Sequence, residues 1–555
     1  MAGDSVIYEE LLTEGASFSG AETGGEFQAS TVVDADLSSD SSSTGQASSS
    51  DALLEAFGIR LEDLNDETTG NAVEAALISG GNTLLVTDLD AKSSSTSTSV
   101  HGKADTTTSF DVVGVGGDQA SAVIGAQGTV TSDVGLDLSN TAESTHEDAS
   151  VVIDGERLSG SDFEQISAGG HWVASSDVAA SFSGAAESAA GDAEATSTID
   201  AILGSSTADL LVQGSSVIAT NADVSLNYAS SSQSGDASST SDLLELLGLE
   251  IDGDSDGANN AEISGSLELD AETKAAINEL ASSESGDALT ASVIHDGGGI
   301  SLGDSTTGAG FDADATVDFS IEQTSRSSDG DASAASTVAE SVAVEADAQL
   351  QSGGDTVITA DQDVVLDQNA QSIGGASATS SNGDHQVGIE LGTQEAGGKV
   401  QLIVNNFLGG DAVASSVLAT ASTEELQNYL AGLDAESISS GSTITAEADT
   451  TLDFDGHSVS NEDNATSRGS ATYVYGVDAE STSGDAISFD ASASTTLQQL
   501  AETIAGDAQA VRRPQARARP AFARPLPWRG AGRYPCRPQF RPNCVRWRHG
   551  YACYR

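Results

Sequence analysis

Gly214-Ser215-Ser216-Val217-Ile218-Ala219-Thr220-Asn221-Ala222-Asp223-Val224-Ser225-Leu226 is the stretch on which the reading of this chain turns. Val224, Leu226 and Tyr228 alternate with polar residues. A period of two with β-branched side chains is the pattern of a strand with one buried face. Related stretches begin at Gly128, Gly354 and Gly441, and Val317, Phe319 and Ile321 keep the same alternation. A turn follows Leu226 at Gly235-Asp236-Ala237, where Gly and Asp suit tight backbone geometry.

That turn recurs as Glu147-Asp148-Ala149, Gly191-Asp192-Ala193, Gly286-Asp287-Ala288 and Gly330-Asp331-Ala332. In chain order its aspartates step by 44, 44, 51 and 44 residues. A degenerate copy stands at Gly374-Gly375-Ala376, and later ones at Gly484-Asp485-Ala486 and Gly506-Asp507-Ala508. Self-similarity at a fixed period predicts a unit that cannot bury its apolar face alone and stacks on its neighbours.

Composition agrees. Leu, Ile, Val and Phe make up only about a fifth of the 555 residues, and much of the other apolar content is Ala. At about 25 cal/mol per Å² of apolar burial, such a chain gains little against ~1–2 kcal/mol per residue of backbone ordering. A single compact core is excluded. Either the chain repeats a thin unit or it stays disordered.

Charge divides the chain near residue 511. Residues 1–511 hold all 86 acidic residues and eight bases, a net −78. Residues 512–555 hold twelve arginines, no acid, all seven prolines and all three cysteines. Phosphates would repel the acidic body, so it does not bind nucleic acid. With no cysteine it has no disulfide framework. No run of 18 apolar residues appears, so no membrane span is expected, and the first ten residues lack the basic and apolar regions of a signal peptide.

Short apolar runs of helical character interrupt the strands. Residues 51–58 match 242–248, with related pieces at 199–204, 423–430 and 497–500. Several follow a Ser, Thr or Asp suited to an N-cap and end at Gly, which predicts short helices.

Asp252-Gly253-Asp254-Ser255-Asp256-Gly257 is the best metal candidate. Alternating aspartates on a glycine turn bring oxygen ligands to a hard cation such as Ca²⁺. Asp252, Asp254 and Asp256 are the candidate ligands. The twelfth loop position, where an EF-hand carries Glu, is Ile263, and Glu262 stands one residue short. Weak cation uptake spread over the acidic body is the other expectation. His101, His146, His171, His295, His385, His457 and His549 are scattered singly without metal-type spacing. No nucleophile elbow or phosphate loop precedes a helix, so the chain does not read as an enzyme.

The tail from Arg512 carries Cys536, Cys544 and Cys553 among Arg, Pro, Trp528, Trp547 and Tyr551. It reads either as a cationic arm or as a frame-shifted translation of the next repeat, and in both cases as disordered.

The acidic strand repeat, over roughly residues 70–510, resembles the long β-strand-repeat surface proteins and adhesins secreted by marine or salt-adapted bacteria. A weaker resemblance is to silk-like cross-β fibre proteins. The first implies a role in cell-surface structure, adhesion or matrix, stiffened by calcium. The expected fold is all-β and elongated, β-solenoid-like or tandem small β modules, with short helical inserts and a disordered basic tail. Its segments are 1–70 with a short helix, 71–510 as the repeat body, and 511–555. The expected function is an extracellular structural or adhesive protein, anionic and cation-binding, with self-association and matrix polymers as partners. The alternatives are a disordered acidic polyelectrolyte and a silk-like fibre former.

Overall fold

The computed structural model describes residues 4–62, 75–117, 120–251, 261–330 and 332–372. Shorter described runs are 399–408, 411–420, 429–440, 443–460, 465–471, 474–483, 486–503, 508–514, 545–547 and 550–552. Two units result, Met1–Ala523 and Arg524–Arg555. In the second, Val545–Trp547 pairs antiparallel with Gly550–Ala552, while Cys536, Cys544 and Cys553 lie outside the described residues.

The first unit is β throughout its described elements, in one 19-stranded and one 10-stranded sheet, here called A and B. The path is simple. Ala193–Val212 runs in sheet A, Ser216–Ser232 in sheet B, and Ala237–Ile251 returns to sheet A beside Ala193–Val212. One such circuit is one sequence repeat, so the 44-residue step is a coil of a β-solenoid-like fold. The sheet B strands of the first eight coils are Phe27–Ser43, Thr83–Ser99, Gly128–Ser144, Trp172–Ser188, Ser216–Ser232, Leu267–Ser283, Phe311–Ser327 and Thr356–Ser372. All pair parallel without a register shift. The same two sheets take in residues 5–62.

Register follows from alternation. A one-residue slip would turn every buried side chain to solvent. In Ser216–Ser232 the inward positions are Ser216, Ile218, Thr220, Ala222, Val224, Leu226, Tyr228, Ser230 and Ser232. Ala, Ser and Thr make up about half of the described interior and Val, Leu and Ile most of the rest, with Trp172, Phe163, Phe182, Phe311 and Phe319 the bulkiest. Phe163 meets Trp172 edge-on at 6.0 Å between ring centroids, and Phe110 stacks on Phe182 at 5.3 Å.

The last inward position of these eight strands is serine in every coil, from Ser43 to Ser372. Its oxygen fastens the corner. Ser232 Oγ accepts the Gly235 amide at 2.8 Å and donates to the Gly191 carbonyl of the preceding coil at 2.7 Å. Ser283 does the same with Gly286 and Gly235, and Ser327 with Gly330 and Gly286. Each hydroxyl meets two backbone groups that would otherwise lack partners at the turn.

Sheet A is indented rather than flat. In Ala149–Ala168 the pairing with the next coil skips residues 156, 160 and 164. Gly160 forms the inward apex, where an added Cβ would lie 1.6 Å from Ser176 Oγ of sheet B and 2.6 Å from the Gly204 carbonyl. Gly58, Gly114, Gly204, Gly248 and Gly299 occupy the same place in other coils, with similar close approaches. In these coils glycine lets two backbones and a facing side chain meet closely, whereas the following coil places Ala343 at the apex.

This indentation overturns the helical reading. Residues 51–58, 199–204 and 242–248 lie in the strands Ala47–Glu62, Ala193–Val212 and Ala237–Ile251, and 497–500 in Ala486–Thr503. Residues 423–428 fall outside the described residues. At the indentation successive side chains are buried on both sides, as in Leu246, Leu247 and Leu249. A parallel strand covered on both faces is apolar without alternation and imitates a helix. The glycines read as helix ends are the apices.

Up to Ser372 the coils differ in length mainly at one place. The described strands flanking 63–76, 117–120, 252–260 and 303–304 all end and resume around the position equivalent to residue 164. The 51-residue step thus arises at 252–260, so Asp252, Asp254 and Asp256 lie outside the described residues. A larger insertion follows Ser372. Thr356 pairs with Ile444, two periods on, and the antiparallel pair Lys399–Leu408 and Asp411–Thr420 lies between them in the chain.

Candidate functional site: stacked carboxylates

Coiling brings side chains 44 residues apart onto neighbouring strands about 4.8 Å apart. The turn aspartates become a column. The Asp192 amide donates to Asp148 Oδ1 at 3.2 Å, Asp236 to Asp192 Oδ1 at 2.9 Å, and Asp287 to Asp236 Oδ1 at 2.9 Å. Each carboxylate therefore binds the next coil through one oxygen and stands at an exposed turn. Asp148 also takes Lys103 Nζ at 2.6 Å, and that bond holds its carboxyl below the usual range. Asp331 is outside the described residues.

A second set lies on the outer face of sheet B. Asp88, Asp133 and Asp177 stand in register on three successive coils. Partial burial, then the charges of Asp177, Asp88 and Asp90, push the Asp133 carboxyl up. Asn221 relieves one end, donating Nδ2 to Asp177 Oδ1 at 3.0 Å. Asp314 is likewise raised by burial and by Asp270, Asp312 and Asp361. Lysines are few here. Lys92 pairs with Asp90 and Lys274 with Glu272 on their own strands.

The outer side of the indentation forms a third row. Arg157 reaches Asp111 at 3.2 Å and Asp162 at 2.7 Å, and Arg60 lies over the Phe57 ring at 4.6 Å. Glu245 is pushed up to about 7, first by burial and then by Glu250 and Asp296.

Among the described residues two carboxyls lie inside, Asp51 and Glu279. Glu279 is 3% exposed and accepts from Ser241 Oγ at 2.7 Å and Gln323 Nε2 at 2.9 Å. Burial drives it up to about 8, against the opposing hydrogen bonds of Ser241, Gln323, Ser292 and the Ala291 backbone. Gln323 also meets Ser292, and Gln368 meets Gln323, so a polar seam runs between the sheets through three coils.

Two histidines treated as isolated are brought together: His101 and His146 lie 4.7 Å apart between ring centroids, one coil apart at the same turn. His295 bonds Asp242 at 2.8 Å. Among the described residues no group of three or more His, Cys, Asp or Glu side chains is placed to hold a metal. None of the described helices or other elements is a helix long and apolar enough to cross a membrane. Sequence reasoning found the turn aspartates but missed the serine column, the glycine apices and Glu279. Aligning the chain at its own period, column by column, exposes the first two.

No protein-family model, curated protein or solved structure matches the chain.

Proposed function

We propose that this chain is an extracellular structural or adhesive repeat protein of a cell surface or matrix, which takes up cations along its anionic face. The observation that supports this is the stacking of like charges: Asp88, Asp133 and Asp177 stand on adjacent strands, with the Asp133 carboxyl raised first by partial burial and then by its neighbours' charges. Such columns cost stability, and a bathing divalent cation offsets that cost more effectively than monovalent salt. A role of this kind asks for no catalytic group. It asks for a rigid repeating surface that presents carboxylates to cations, to matrix polymers and to other copies.

Two measurements test the reading. Thermal melting followed by circular dichroism should show a β spectrum held in millimolar calcium, with a melting temperature raised beyond that in sodium chloride of equal ionic strength. Asp133→Asn with Asp177→Asn should shrink that calcium-specific increment. Coil spectra in both conditions would favour the disordered polyelectrolyte instead. Immunolabelling of intact cells of the producing organism should mark their surface or matrix; labelling confined to the interior would overturn the assignment.

A further inference from the structure

At one interior column the second coil departs from those that follow it. Asp51, in Ala47–Glu62, points inward and is 1% exposed. The equivalent inward places in later coils hold Thr108, Ile153, Ser197, Ser241, Ser292 and Ser336, none of them charged. Asp51 Oδ2 accepts Ser93 Oγ at 2.9 Å, while Asp51 Oδ1 has no hydrogen-bond partner. Its register neighbour on the first coil is Glu9, half-buried on the inward side of Ser5–Ser19. Two carboxylates thus share one interior column on adjacent strands.

Hydroxyls surround them. Ser49 and Ser95 bond at 2.9 Å and Ser39 and Ser95 at 3.0 Å, beside Asp51 and Ser93 on the same inward faces. The bases of these coils are engaged elsewhere: Arg60 with Glu14 and Glu62, Lys92 with Asp90, Lys103 with Asp148. A buried carboxylate with an unmatched oxygen is costly. A cation that meets Oδ1 and draws in Glu9 offsets that cost.

We propose that Glu9 and Asp51, with nearby serine hydroxyls, bind one calcium ion inside the N-terminal end of the fold. Carboxylate and hydroxyl oxygens suit a hard cation, and calcium tolerates an irregular set of 6–8 oxygens better than magnesium does. The half-buried position of Glu9 on the first coil gives the ion a way in. The site is separate from the outer carboxylate rows, although it deepens the cation-binding reading above.

Isothermal titration of the full chain with calcium chloride is the test. The wild type should show one saturable site per chain, at least tenfold tighter than the weak uptake of the outer face. Asp51→Asn should abolish it and leave the weak phase, and Glu9→Gln, at a less buried position, should weaken it at least several-fold. Asp133→Asn with Asp177→Asn should alter only the weak phase. An unchanged tight phase in both Asp51→Asn and Glu9→Gln, or no tight phase in the wild type, would overturn the proposal. Loss of only the calcium increment at the outer face would sink the general reading and leave this one standing.

Discussion

Replacing Glu279 with Gln should stabilise the fold increasingly as pH rises. The carboxyl is raised from an ordinary 4.5 to about 8, chiefly by burial. A carboxyl raised on folding holds its proton in the folded state while the unfolded chain releases it. Its penalty is therefore absent below pH ~4.5, grows at ~1.4 kcal/mol per pH unit above that, and levels off past pH ~8, reaching at most about 5 kcal/mol. Glu279→Gln removes that slope. Its amide can keep both contacts, with Oε1 accepting from Gln323 Nε2 and the NH₂ donating to the Ser241 hydroxyl, as the protonated carboxyl does. The variant should thus match wild type near pH 5 and be more stable above pH 8. Urea unfolding followed by far-ultraviolet circular dichroism, at half-unit steps from pH 4.5 to 9, reads the difference between the two proteins. Titration of the other acids cancels in that difference. A difference that stays flat to within about 0.5 kcal/mol across the range would refute the buried, protonated carboxyl.

Gly204→Ala should lower the melting temperature markedly, because its Cβ would stand 2.3 Å from the Gly248 carbonyl and 2.9 Å from Thr220 Cβ. Overpacking of this kind costs about 1–3 kcal/mol. Gly135→Ala, whose Cβ meets only the Asp90 carboxylate at 3.3 Å on the outer face, should leave melting nearly unchanged, and equal losses in the two would discount the apex. Ser232→Ala should cost about 1–3 kcal/mol by stripping the Gly235 amide and the Gly191 carbonyl of a partner. Hydrogen exchange should then quicken at Gly235, and unaltered protection there would count against the corner bond.

Strand class and repeat length were legible because both are local. Alternation at Val224, Leu226 and Tyr228 needs only that one face be buried, and the 44-residue step needs only that turns recur. The indentation was not legible, since Leu246-Leu247-Gly248-Leu249 has the composition of a capped helix and only the coils on either side make it a strand. Of the carboxylates, the turn column was visible at Asp192 and Asp236. Glu279 and Asp51 look like any other acid in an acidic chain. Whether such a residue faces solvent or interior depends on its parity within its strand, and bends and bulges upstream reset that parity.

That most length changes before Ser372 fall at one bend of the coil has a practical consequence. The added residues of 63–76 and 252–260 lengthen their circuits while the sheet B strands on either side keep an unbroken register. Foreign peptides spliced at the corresponding bends of shorter coils, such as beside Glu164 or Ala208, would emerge along one strip of the surface at multiples of about 4.8 Å. The fold is in that respect a ruler on which epitopes or enzymes can be mounted at chosen intervals.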